Sequence, residues 1–279
     1  NNEKMSNIKE YIKSQGIEIK GIKFGKSKAQ YFMDKDENAI YQGISSIKYC
    51  NDQIADELYE LSKNHYDNFV DLLSDIISKT SVDDRQLHIL TTLNFFSEFG
   101  KNKYLLSIID MYNLLGKCKT LKKDKIASLN IGEEDVRKCA EKETPKQYSN
   151  VDKDKLVKLM ISGLENKALS IKEQIVYEQE YLGNIMYKNP KAPKDMYYVL
   201  ECKFYKDKTK PYLMLYNMRD GEYLKTKITS GKSFIESPFI AGNVINVKEF
   251  GERNKMKKVG GDWIKTDEKE RIVKKWDVY

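Results

Sequence analysis

The sequence predicts an α+β protein in which an array of short helices is followed by a small C-terminal β-barrel. Three observations predict it. Over residues 44–112 and 152–183 apolar residues recur three and four apart, the spacing of helix faces. From Tyr197 onward the period changes to two and turn chemistry interrupts it at short intervals. The balance of 40% apolar and 33% charged residues is that of a globular chain, and 279 residues suffice for two or three domains with cores of their own.

In order along the chain, Asn7 to Gln15 places Ile8, Tyr11 and Ile12 at helical spacing and Gly16 ends the helix. Ile17, Ile19, Ile22 and Phe24, then Tyr31 to Met33, the polar turn Asp34 to Asn38, and Ala39 to Tyr41 read as strands joined by a tight connection. After Gly43, Ile44, Ile47 and Lys48 lead into a helix striped by Ile54, Leu58 and Leu61. Phe69 to Ile77 forms the next, Asp83-Asp84 opens a third carrying Leu87, Leu90, Leu93 and Phe96, and Asn102 opens a fourth through Leu105, Ile108, Ile109 and Met111. The acidic pairs Asp83-Asp84 and Glu133-Glu134 suit helix N-termini, where the macrodipole favours negative charge. Polar composition and weak periodicity mark Lys117 to Val151 as a linker. A helix from about Asp152 to Leu164 follows, then a capping box at Ser170 and Glu173 and a helix that stops at Gly183. Asn189-Pro190 and Pro193 form a boundary.

Strands are expected at residues 197–205, 212–218, 223–228, 244–250, 263–265 and 271–279, with hairpin chemistry at Lys206 to Lys208, Arg219 to Glu222 and Val259 to Asp262. Five or six short strands in so few residues suit a Greek-key barrel, of which the OB-fold is the common type that binds single strands.

Cys50, Cys118, Cys139 and Cys202 are far apart with no C-x-x-C pair, which points to reduced thiols in a cytoplasmic protein and gives no zinc or redox motif. His65 and His88 lie among apolar residues on helix-like stretches and read as surface or boundary residues rather than bases. No carboxylate pair has the strand-borne spacing of a two-metal site, and no Walker or dinucleotide glycine loop occurs, so neither metal nor cofactor is expected in this chain. The absence of any apolar run near the roughly 20 residues of a membrane span leaves membrane partners out. The opening Asn1-Asn2-Glu3-Lys4, without initiator Met or signal pattern, suggests a piece of a longer protein. From Met196 to Tyr279 there are 18 Lys and Arg against 12 Asp and Glu, leaving 31 against 30 before it, so the formal charge of +7 sits almost wholly in the last third. A surplus confined to one domain is the footprint of a polyanion partner, or else serves solubility. Within it, Lys255, Lys257 and Lys258 stand beside Trp263 and Lys265 on one hairpin. Lysines there would meet phosphates and the indole would stack a base; the alternative is an edge hairpin whose lysines deter aggregation and whose Trp263 fills the barrel.

Four segments in order resemble the C-terminal half of the alpha subunit of bacterial DNA polymerase III, in a divergent, phage-like form. Tyr11 to Ile19 is similar to the end of the fingers region with its "G-I-E-V". Ile40 to Lys48 is similar to "I-x-x-G-L-x-x-I-K", which leads into a helix-hairpin-helix DNA-binding element. Ile89 to Lys103 is similar to "L-I-x-x-G-A-F-D-x-F-G-x-N-R", and Tyr177 to Gly183 with Asn189-Pro190 to "E-x-E-x-L-G" and the "H-P" ahead of the family's OB domain. Two departures stand out. Tyr49-Cys50-Asn51 replaces the "G-V-G" whose amides approach a phosphate, and no clamp-binding peptide is found between Gly116 and Val151; Gln86 to Leu90 has the letters of one but lies within a predicted helix.

The resemblance implies four regions: residues 1–34 ending the fingers, a helix-hairpin-helix-like region at 35–116, linker and connecting helices at 117–195, and an OB-like domain at 196–279. It implies a DNA-binding portion of a replicative polymerase that grips primer-template and single-stranded template, with sliding clamp and other replisome subunits as further partners. The polymerase's carboxylates, and the Mg they hold, belong to an upstream palm, so this chain is expected to be inactive alone. The contacts expected are Gly43, Ser46 and Lys48 in the hairpin region, with Lys203, Tyr205, Lys225, Lys255, Lys257, Lys258, Trp263 and Lys265 in the barrel. Two alternatives of other classes stay open: a free-standing single-strand-binding OB protein, and a replisome interaction module.

Overall fold

The computed structural model describes residues 11–12, 14–116, 119–129 and 131–279, the side chains of Lys258, Val259 and Trp263 excepted. The expected helix from Asn7 lies largely outside the described residues. The chain divides into two compact units, Asn1–Asn184 and Ile185–Tyr279.

The first unit opens with a three-stranded sheet in which β1 (Glu18–Lys20) runs parallel to β3 (Ala39–Tyr41) and β2 (Phe32–Asp34) pairs antiparallel with β3. The polar turn between β2 and β3 is as expected; Asp34 accepts from the amides of Asp36 and Glu37 at 3.1 and 3.2 Å, and Asn38 takes the left-handed conformation at φ 47°. Ile22 and Phe24 do not continue the strand but turn into the helical core.

Four helices follow, α1 (Asp52–Leu61), α2 (Phe69–Lys79), α3 (Asp84–Thr92) and α4 (Asn102–Leu115). Local chemistry fixes their starts. Asn51 and Asn68 cap α1 and α2 through their side-chain oxygens, and Asp83 with Gln86 forms a reciprocal capping box on α3. The apolar stripes read from the sequence are the core: Ile54, Leu58, Leu72, Leu73, Ile76, Leu90, Phe96 and Ile109 are all at most 1% exposed.

The stretch from Lys117 to Val151 is folded wherever it is described, which corrects the linker reading. It supplies β4 (Leu121–Lys122), α5 (Lys123–Ser128), α6 (Glu133–Cys139), β5 (Ala140–Glu143) and β6 (Gln147–Val151), with the sheet order β4-β6-β5. Its elements are too short to show a period, but each carries a residue into or against the helical core: Leu121, Ile126, Val136, Ala140, Tyr148 and Val151. Glu133 and Glu134 do open α6.

α7 (Lys153–Met160) and α8 (Ile171–Leu182) complete the unit, α8 between the expected Ser170–Glu173 capping box and a left-handed Gly183 at φ 70°. A buried amide ties α8 to α3 and α4. Asn102, 2% exposed, donates to the Thr92 carbonyl at 3.0 Å and to Gln174 Oε1 at 2.7 Å, and accepts from the Leu169 amide at 2.8 Å. Removing it strands three buried polar groups, so Asn102→Ala is expected to cost about 3 kcal/mol in urea unfolding. A loss below about 1 kcal/mol would mean that water reaches these groups.

The second unit is one antiparallel sheet in the order β11-β10-β7-β8-β9, built from β7 (Met196–Lys203), β8 (Tyr212–Asn217), β9 (Tyr223–Lys227), β10 (Val244–Val259) and β11 (Asp262–Val278). The sheet closes on itself: Ile228, just past β9, bridges Val273 of β11 in parallel, and the Thr226 hydroxyl donates to the Arg271 carbonyl at 2.8 Å. A three-strand meander, a helix after its third strand, and a last strand parallel to the third are the connections of an OB-like barrel. That helix, α9 (Gly231–Glu236), sends Phe234 under the barrel against Phe239 and Trp276. Trp276 is the tryptophan that fills the barrel, 7% exposed, with its indole N–H on the Ser237 carbonyl at 3.0 Å.

The expected strands at 244–250, 263–265 and 271–279 are parts of two long strands, β10 and β11, which run on as a two-stranded arm to a turn at Gly260 and Gly261. Their φ values of 60° and 101° make these positions costly for other residues. The arm carries polar residues on both faces, so no alternation announced it.

Candidate nucleic-acid interface

Along β7, β8 and β9 alternate side chains point out of the barrel. Cross-strand register sets Lys203 opposite Tyr212, Glu201 opposite Met214, and Met214 opposite Lys225, while Leu213 and Leu215 fill the interior. Tyr205, 65% exposed, stands edge-on to Tyr212 with ring centroids 5.1 Å apart. Together these residues line a shallow groove of about 190 Å³. Three residues singled out from the sequence, Lys203, Tyr205 and Lys225, therefore come together from β7, the turn that follows it, and β9. Tyr212 was missed; its signal is the alternation itself, which puts it on the face of Met214. Lys203 Nζ lies 2.7 Å from Glu201, a hydrogen bond that holds the ammonium above its ordinary range and leaves a pair that a phosphate would have to part. Lys227, by contrast, is 9% exposed and its ammonium sits 2.6 Å from Glu270, bonding the barrel seam.

On the arm the lysines do not form one cluster. Register sets Met256 opposite Lys265 and Lys257 opposite Ile264, so Lys255 and Lys257 lie on one face of the ribbon and Lys265 on the other. Lys255 pairs with Glu268 at 2.9 Å, and Arg253 with Glu270 at 2.7 Å. Lys258 and Trp263 are backbone partners, but their side chains lie outside the described residues.

In the first unit, Gly43 precedes a single 3-10 turn, Ile44–Ser46, where the sequence suggested the lead into a helix. Gly43 is a packing glycine: a Cβ there would stand 2.5 Å from the Ala29 carbonyl oxygen and 2.6 Å from the Gln30 carbonyl carbon. The Ser46 hydroxyl donates to the Gly43 carbonyl at 2.7 Å and accepts from Gln42, tying off the same turn. Lys48 is exposed, with its amide on the Tyr181 carbonyl at 3.0 Å. Tyr49 holds the left-handed conformation, φ 72°, that glycine would adopt freely. Cys50 beside it is half-buried and its thiol is pushed up to about 12, chiefly by desolvation, so it is no nucleophile.

Neither histidine lines the barrel groove. His65 lies on a loop rather than a helix, its side chain 89% exposed beside Asp67. His88 on α3 contacts the Asp84 carbonyl at 2.8 Å and the Asp110 carboxylate at 3.2 Å. Burial opposes its charged form, yet the Asp84 and Asp110 contacts outweigh it and raise the imidazole above 6.5. A raised histidine stabilises below its unfolded pKa and stops doing so as pH rises through the folded one. His88→Gln should therefore lower stability at pH 5.5, by under about 1 kcal/mol after solvent screening, and leave it unchanged at pH 8.5. An equal loss at both values would show that the contact works without charge. Leu87, Ile89 and Leu90 are buried around His88, which removes Gln86 to Leu90 as a clamp-binding peptide.

An OB-like barrel with a lysine- and tyrosine-lined outer groove, following a helical unit in the sequence, belongs to the architectures that hold nucleic acid. In the comparison with protein families, the model of the helix-hairpin-helix motif matches residues 16–106, from β1 through the hairpin to the start of α4, and supports DNA binding by that region. A search of curated proteins gives no match to the chain. Among the described residues no helix is long and apolar enough to cross a membrane.

Proposed function

We propose that the chain is the DNA-handling C-terminal portion of a C-family replicative DNA polymerase, related to the polymerase III alpha subunit. In this reading the helix-hairpin-helix region holds primer-template duplex and the barrel holds the single-stranded template, while palm carboxylates outside this sequence transfer the nucleotide. The observation that carries it is order: a helix-hairpin-helix match at residues 16–106 precedes an OB-like barrel whose outer groove gathers Lys203, Tyr205, Tyr212 and Lys225. Sliding clamp and other replisome subunits remain partners of the proposal through the parent family alone.

Chemically, the groove suits single strands. Its two lysines meet the backbone, its rings offer flat faces worth about 1–3 kcal/mol per stacked base, and nothing in it reads a base edge. Hydroxyl-radical footprinting on a primer-template junction tests the assignment. The expected pattern is protection of both the duplex behind the junction and the single strand ahead of it. Protection of the single strand alone, with equal affinity for an unprimed oligonucleotide, would replace the polymerase reading with that of a free-standing single-strand-binding protein.

A further inference from the structure

We propose that the hairpin of the first unit holds an unpaired nucleotide through a Lys48, Tyr49 and Arg85 stack, the base on the Tyr49 ring and the phosphates on the two cations. The inference rests on the nucleic-acid reading above and adds to it a contact of a different kind from amide-to-phosphate bonding.

The glycine-type contact is obstructed here. The N-terminus of α1, where hairpin amides would meet a phosphate, carries Asp52 in its first turn, and the Ser45 hydroxyl donates to that carboxylate. Asn51 spends its side-chain oxygen on the Ile54 amide at 3.0 Å, and the Cys50 amide bonds the Ile47 carbonyl at 3.0 Å. A phosphate approaching this end would face a carboxylate.

Positive charge lies instead on the other side of Tyr49. The Arg85 guanidinium carbon is 3.2 Å from the Tyr49 ring centroid and the Lys48 ammonium 5.0 Å from it. Tyr49 is 41% exposed, and Lys48 and Arg85 are exposed as well. Neither cation has a carboxylate within ion-pair distance among the described residues. The backbone that carries the ring is held from two directions: Gln86 donates to the Tyr49 carbonyl at 3.0 Å, and the Lys48 amide to the Tyr181 carbonyl. Tyr181 in turn stacks with Tyr177, centroids 6.0 Å apart and planes within 7°.

Two local costs are maintained in this cluster. Arg85 sits in the first turn of α3, where the macrodipole disfavours a cation. Tyr49 keeps a left-handed backbone that glycine would adopt without strain. A site that keeps both against local preference is where function is expected. A planar guanidinium stacked on a phenol is also already ordered, so little side-chain entropy is lost when a base and its phosphate arrive.

The test uses the full chain and two labelled probes, an oligothymidylate and a blunt duplex of similar length, with Tyr49→Gly, Tyr49→Phe and Arg85→Gln. Tyr49→Gly suits the backbone and Arg85→Gln removes a cation from a helix start, so both variants should melt at or above the parent temperature. Tyr49→Gly is expected to weaken oligothymidylate binding about ten-fold and duplex binding far less, with Tyr49→Phe close to the parent. Arg85→Gln is expected to lower the salt slope by about 0.7. Parent-like oligothymidylate binding by Tyr49→Gly, or an equal loss on both probes, overturns the stacking contact. If the parent binds the duplex but not the oligothymidylate, this proposal fails and DNA binding stands. If it binds neither, the underlying reading fails with it.

Discussion

Reversing both groove lysines, Lys203→Glu with Lys225→Glu, should lower the affinity of the full chain for single-stranded DNA about 30-fold at low salt and flatten its salt dependence by about 1.4 in log–log slope. Lys203 on β7 and Lys225 on β9 lie on either side of β8, opposite Tyr212 and Met214, so one strand of phosphates can run past both. The effect is large because each substitution exchanges attraction for repulsion, and because Lys203→Glu also leaves Glu201 without the partner that lies 2.7 Å from it. The barrel interior is untouched, since both side chains point away from Leu213 and Leu215, and unfolding should move by less than about 0.5 kcal/mol. An unchanged slope in the groove variant would take these lysines out of the footprint.

Gly43→Ala is expected to destabilise the first unit by about 3 kcal/mol, a large effect for a single methyl group. The backbone at Gly43, φ −78° and ψ 140°, suits alanine, so strain in the dihedrals is not the cause. The cause is a wall of main chain: the added Cβ meets the Ala29 oxygen at 2.5 Å and the Gln30 carbonyl carbon at 2.6 Å. Neither can swing aside, because the amides of Ile44 and Ser45 bond the carbonyls of Lys28 and Ala29 at 2.9 and 3.1 Å. Urea unfolding measures the loss. A variant of parent stability that binds DNA more weakly would reverse the assignment and make Gly43 a phosphate-contacting glycine.

What the sequence disclosed follows from how local each signal is. The caps at Asp83, Ser170 and Gly183 were legible because a cap is written within four residues. The barrel was legible because β7, β8 and β9 bury one face and wet the other, which imprints a period of two. The folded state of residues 119–129 and 131–151 was not. Tyr148 there is fully buried and satisfied by Glu133 at 2.8 Å and Glu143 at 3.0 Å, partners that only the fold brings together. The arm escaped for the opposite reason, since a ribbon wet on both faces has no hydrophobic period to read.

The candidate site divides along the same line. Lys203, Tyr205 and Lys225 could be named as residue types suited to nucleic acid, but their convergence, and the part of Tyr212, depend on strand register. Lys255, Lys257 and Lys265 look clustered as letters and are separated by the pleat. Arg85 reads as one more helix-surface cation until Tyr49, 36 positions earlier, is found beneath it at 3.2 Å. Tyr49 itself reads as a departure from a glycine motif, and its φ of 72° places it in the conformation that glycine favours.

The central claim, that this chain grips nucleic acid through its phosphate backbone, is tested most directly by fluorescence anisotropy of the full chain on labelled primer-template DNA across a salt series. The account predicts tight binding at low salt that weakens steeply and linearly in log–log form, with a slope that the groove reversals reduce. Absent binding at low salt, or binding indifferent to salt, would contradict it.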